Sequence, residues 1–173
     1  MRNTAFFAVG FVLLLLQAQL FRLFGFVHVP GLVPSLVLPL ILFMGVHEYS
    51  LARGAAVAFM LGYATDLIGI APVGLYTFTY VALFLLARGA GVRLGAQTTW
   101  MQVVLALAFS LVHSVMVLML LAVFGRDAWV PRTLYPLALP HVLATAAVAP
   151  LVFRLAQRVH QATTAKAPRG TIA

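Results

Sequence analysis

Three observations predict an all-α integral membrane protein of about six transmembrane helices. Hydrophobic residues make up 64% of the 173 and charged residues only 8%, whereas a soluble domain is nearer half apolar and a quarter charged. Apolar stretches follow one another from end to end, and the mean hydropathy is +1.07. The Lys and Arg residues, 11 in all, sit at the ends of those stretches, where topology signals sit. At roughly 20 residues per span, six helices use about 120 residues and leave short loops, with no room for a second, soluble domain. The expected organisation is a six-helix transmembrane domain over 1–158 and a short basic cytoplasmic tail over 159–173. The Ala/Thr/Pro/Gly content of that tail predicts disorder.

The first span runs from about Thr4 to Leu20, on toward Phe26, with Arg22 near its far end. Its start imitates a signal peptide, but the hydrophobicity never stops, so it reads as a retained span. A turn through Pro30, Gly31 and Pro34 leads to a short second span, about Ser35 to Val46, with Pro39 inside it. Neighbouring helices can satisfy the carbonyl that such a proline frees. His47, Glu48, Tyr49, Ser50 and Arg53 form a polar link to the third span, Gly54 to Ile70. A Pro72/Gly74 turn opens the fourth span, about Val73 to Ala87, and Arg88 and Arg93 mark the next loop. The fifth span, Thr98 to Phe124, is the longest. The sixth, Leu134 to Phe153, contains Pro136, Pro140 and Pro150, which predict kinks.

Charge orients this pattern. With the N-terminus inside, the cytoplasmic side receives Arg2, Arg53, Arg88, Arg93, Arg154, Arg158, Lys166 and Arg169, and the outside receives Arg22, Arg126 and Arg132. Eight against three places both termini in the cytoplasm. A net charge of +8 would suggest nucleic acid in a soluble protein. Basic residues confined to span ends point to the lipid bilayer as partner instead, with no nucleic acid. Trp100, Trp129, Tyr49, Tyr76 and Tyr135 fall near span ends and suit interfacial belts.

The absence of Cys excludes disulfides, thiolate metal sites and cysteine nucleophiles together. The five histidines show no HxxxH or HExxH spacing, no serine sits in a nucleophile elbow, and no Gly-rich loop carries a P-loop lysine. No enzyme activity, metal or cofactor is expected. His47-Glu48 reads as a solvated link rather than an acid/base pair.

The third span carries the most informative feature. Among three acidic residues, Asp66 alone is flanked by apolar sequence on both sides, and an ionisable group at membrane depth is expensive. Gly54, Ala58, Gly62 and Asp66 are spaced four apart and form one ridge, along which small residues let another helix approach. Three readings stay open for Asp66. It caps this packing through a structural ion pair or a helix-end hydrogen bond, it contacts a partner, or it serves a proton or substrate site. Arg22 is the preferred ion-pair partner, with His113 second, since His113 lies roughly 22 Å into the fifth span at a similar depth. Gln102, Ala106, Ser110 and Ser114 repeat at four-residue spacing beside His113, a stripe expected to face protein. His113 itself is expected in an interhelical hydrogen bond. His141 and Thr145 form a smaller polar pair in the sixth span.

With these residues in view, the chain resembles the rod shape-determining protein MreD family of bacteria. The resemblance rests on size, on six spans with both ends inside, and on the third-span signature of Gly62, Asp66, Gly69, Pro72 and Gly74. The Arg53-Gly54 start of that span and the Arg154/Arg158 ending of the last also fit. One departure is Pro34-Ser35, where the family's second span often opens with Pro followed by Asp or Asn. The resemblance implies a non-enzymatic component of the bacterial inner membrane. Its implied partners are a periplasmic MreC-like protein, a cytoplasmic MreB-like filament and the peptidoglycan synthases. It also implies a fold similar to the substrate-capturing subunits of energy-coupling-factor transporters. The alternative function is therefore a small-molecule-binding subunit of such a transporter, with an outer-side pocket lined by Asp66, His113, His141 and Tyr76. An open polar cavity there would favour that alternative, and a region closed by side chains the scaffold.

Overall fold

A computed structural model describes residues 2–24, 33–47, 50–69, 72–90, 99–124 and 129–165, with 2–3, 21–24, 99, 129–136 and 164–165 described by backbone alone. These residues form six helices and no strand: α1 (Arg2–Phe24), α2 (Val37–His47), α3 (Leu51–Ile68), α4 (Leu75–Gly89), α5 (Thr99–Phe124) and α6 (Trp129–Ala165). Three stretches, Leu51–Ile68, Trp100–Phe124 and Leu137–Thr163, are long and apolar enough to cross a membrane. The apolar stretches Thr4–Leu20, Val37–His47 and Leu75–Gly89 are shorter.

Helix α2 is the centre of the bundle. Its sequence, VLPLILFMGVH, is apolar on every face, and a helix of that kind must be buried all round. Val37 through Val46 are buried without exception, and α2 touches each of the other five helices. Its 11 residues rise about 16 Å, roughly half a hydrocarbon core. Its N-terminal amides therefore need partners within the protein. The Ser35 N–H donates to Thr145 Oγ1 of α6 at 3.0 Å, and the Leu36 N–H donates to Gln17 Oε1 of α1 at 2.9 Å. Because α2 begins at Val37, Pro39 falls in its first turn and not in mid-span. The amide it lacks would have had no helical partner there.

Side-chain contacts fix the helix directions. Phe43 and His47 of α2 lie against Phe153 and His160 of α6, each pair with centroids 6.0 Å apart, while Ser35 lies against Thr145. So α2 and α6 run parallel. Gln17 meets the start of α2 and Phe6 its far end, with the Phe6 and Phe43 rings 6.1 Å apart, so α1 runs the opposite way. Helix α3 runs alongside α1, where a side chain on Gly10 would collide with Leu61.

The bundle is apolar outside as well as inside. Phe59, Met60, Leu67, Phe78, Met119, Leu143 and Leu151 are all exposed. A surface of this kind is an association liability in water, and it is consistent with a membrane protein. The stripe of Gln102, Ala106, Ser110, His113 and Ser114 is buried instead, so α5 turns its polar face inward.

Helix α6 departs from expectation at both ends. It runs unbroken through Pro131, Pro136, Pro140 and Pro150, and it continues to Ala165, seven residues into the segment expected to be a disordered tail. The reason is packing. Val159 lies against the core, His160 contacts the Phe6 and Phe43 rings, and Thr163 Oγ1 donates to the Val159 carbonyl at 2.8 Å. Lys166 and Arg169 lie outside the described residues.

Candidate functional site

The small-residue ridge of α3 faces α4. Gly54, Ala58, Gly62 and Asp66 are all buried, and a Cβ on Gly54 would overlap the Phe84 ring. At Gly62 the contact is with backbone: a Cβ there would lie 2.5 Å from Thr77 Cα and 2.8 Å from the Tyr76 carbonyl oxygen. Only a bare α-carbon admits the first turn of α4 this closely. That approach puts Asp66, one turn further on, within reach of the N-terminal amides of α4.

The chain between the two helices is built to present those amides. The Gly69 N–H donates to the Thr65 carbonyl at 2.9 Å and ends α3. With φ −82° and ψ 176°, Gly69 is extended, a conformation open to any residue. Pro72 offers its carbonyl to the Leu75 N–H at 3.2 Å. Gly74 sits at φ 101°, in the left-handed region that disfavours other residues. It is the N-cap of α4, where a Ser, Thr, Asp or Asn side chain would ordinarily accept from the first turn. Glycine has none to offer.

Asp66 does that work from the preceding helix. Its Oδ2 accepts the Gly74 N–H at 2.9 Å, the Thr77 N–H at 3.0 Å and the Thr77 hydroxyl at 2.6 Å. Its Oδ1 accepts the Tyr76 N–H at 2.8 Å. Together with the Leu75–Pro72 bond, every amide from Gly74 to Thr77 is satisfied. The carboxylate, 2% exposed, faces the positive end of the α4 dipole. Four charge-assisted hydrogen bonds replace the water it has lost. Among the described residues, all four of these donors come from Gly74, Tyr76 and Thr77.

Of the two expected partners, Arg22 stands in the last turn of α1, and its side chain lies outside the described residues. His113 is buried, but it lies against rings. Its centroid is 5.9 Å from Tyr80, 6.1 Å from Tyr76 and 6.3 Å from His141. Among the described residues neither of its ring nitrogens has a hydrogen-bond partner. The interhelical hydrogen bond expected of His113 is thus replaced by ring packing, because the flanking helices offer it aromatic faces. His141 is bonded: its Nδ1–H donates to the Val33 carbonyl at 2.7 Å, while its own carbonyl accepts from Thr145 Oγ1 at 2.8 Å.

Among the described residues, side chains pack together where a polar pocket was envisaged. Tyr80 is 1%, Asp66 2% and His113 5% exposed, and Tyr76, Tyr80, His113 and His141 pack ring to ring. Among the described residues no group of three His, Asp or Glu is placed to hold a metal.

Sequence reading missed Thr77, which supplies two of the four bonds to Asp66. The signal was present, because α4 starts at a glycine that cannot cap and the only nearby carboxylate lies one helix back. It also missed Gln17 and Ser35. A lone amide inside an apolar span was the available hint for Gln17.

Site and fold define an all-helical bundle with membrane-length helices and an internally capped α3–α4 hairpin. Compared with known proteins, the chain matches no protein-family model, no curated protein and no solved structure.

Proposed function

We propose that this chain is a non-enzymatic, multi-pass component of the bacterial inner membrane that serves cell elongation, as the resemblance to MreD implies. Both termini lie in the cytoplasm, and the six-helix bundle spans the bilayer, with α2 reaching only part of the way across. The chain joins an MreC-like periplasmic protein and the wall synthases to an MreB-like cytoplasmic filament. The observation that carries this reading is the full engagement of Asp66 with the start of α4. A carboxylate whose bonds among the described residues all lie inside the hairpin is spent on architecture, not on a substrate or proton. The filled ring cluster around His113 favours a scaffold over a small-molecule-binding subunit in the same way.

Depletion in a rod-shaped bacterial host tests the proposal. Cells should widen and round while a C-terminal reporter fusion reports the cytoplasm. Cells that stay rod-shaped but lose uptake of one vitamin would replace this reading with the transporter subunit.

A further inference from the structure

We infer that the groove between α1 and α3 is a binding site for one anionic phospholipid of the cytoplasmic leaflet. It is an open groove of about 420 Å³, lined by Thr4, Phe7, Ala52, Arg53, Ala56, Val57 and Met60. Helices α1 and α3 lie parallel here, so Thr4 and Arg53 mark the same end and Met60 the other. At 1.5 Å per residue, Met60 stands about 10 Å deeper than Arg53. Thr4 and Arg53 thus stand at one mouth, and the surface of the trough itself is almost wholly apolar.

That polarity matches an amphiphile held in one direction. The trough exists because Ala52 and Ala56, one helical turn apart, leave the α3 surface low between Phe7 and Met60. An acyl chain can lie there against Val57. The headgroup then sits at the end marked by Arg53, an exposed residue whose guanidinium matches phosphate in charge and in its fork of donors. None of the lining residues is acidic. Basic pockets between membrane helices on the cytoplasmic side take anionic headgroups in this way. The site rests on the orientation proposed above, which puts the start of α3 at the cytoplasmic face.

Native mass spectrometry of the full chain in mild detergent tests the site, with dioleoylphosphatidylglycerol or dioleoylphosphatidylcholine added. The wild type should retain one phosphatidylglycerol in preference to phosphatidylcholine. Arg53→Gln should lower that retention about fivefold, the worth of one basic residue at an anionic surface. Ala56→Phe, which fills the trough, should lose both lipids. Arg154→Gln, an exposed arginine on α6, should behave as wild type. If Ala56→Phe does not fold, as judged by circular dichroism, Ala52→Leu takes its place. Equal losses in Arg53→Gln and Arg154→Gln would overturn the site in favour of a diffuse basic surface. A filled trough that still retains phosphatidylglycerol would also overturn it. So would a wild-type dimer that Ala56→Phe dissociates, since a second copy would then occupy the groove. Because the measurement reads lipid in detergent, it stands apart from cell shape, and the C-terminal reporter checks the orientation separately.

Discussion

Replacing Asp66 by Ala removes the acceptor for three backbone amides and one hydroxyl at the start of α4. Two of those bonds, both from Thr77, are fully buried, and α3 closes over them at Gly62. A buried donor left without a partner costs about 1–3 kcal/mol, so the two together cost about 2–6 kcal/mol. For a chain of this length each kcal/mol moves the midpoint by about 2–4 °C. Thermal unfolding in detergent, followed by intrinsic fluorescence and circular dichroism, should therefore show a fall of roughly 10 °C. Asp66→Asn should be milder, at about 1–2 kcal/mol. Its amide oxygen can keep the three bonds made by Oδ2, and only the Tyr76 amide then faces an NH₂. Thr77→Val removes the 2.6 Å bond and should cost about 1.5–3 kcal/mol. Added to Asp66→Ala, it should cost much less than it does alone, since the shared bond is already gone. An Asp66→Ala midpoint within about 2 °C of wild type, with additive effects in the double variant, would refute the capping argument. A stable, abundant Asp66→Ala protein that has lost a membrane partner would make Asp66 a contact residue instead.

Two further predictions concern neighbouring groups, both read by the same unfolding measurement. Gly74→Ala should cost about 1–2 kcal/mol although nothing lies within 4 Å of the new Cβ, because strain at φ 101° is conformational. Gly89→Ala, also in open space but helical, should be neutral or stabilising by up to about 1 kcal/mol. Equal effects at the two positions would exclude the conformational explanation. His113→Phe should leave the midpoint unchanged or raise it, since the ring packs on aromatic faces and its nitrogens make no bond to the described residues. A fall above about 4 °C would mean that those nitrogens are engaged in the folded protein.

Composition and periodicity were enough to define the helices of this protein. Six apolar stretches divided by Pro, Gly and basic residues mark six helices, because hydrophobic run length is a local property. The four-residue spacing from Gly54 to Asp66 likewise marks a packing ridge, since a helix face follows from spacing alone. Which helix meets that ridge is a tertiary matter. Only the fold brings the start of α4 against Gly62, and only then does Asp66 become the cap that Gly74 cannot provide. From sequence, an ion pair and a helix-end hydrogen bond both stay open for Asp66, because either one satisfies a buried carboxylate. An oriented helix N-terminus eight to eleven residues away in the chain is a partner that no inventory of charged residues reveals. The centrality of α2 was half visible, since a helix apolar on all sides must be enclosed. That Gln17 and Thr145 hold its N-terminus depended on α1 and α6 lying beside it. The extension of α6 to Ala165 was hidden for the same reason. Composition reads the tail as polar and loose, but Val159 and His160 reach the core only once Phe6 and Phe43 are brought together to receive them.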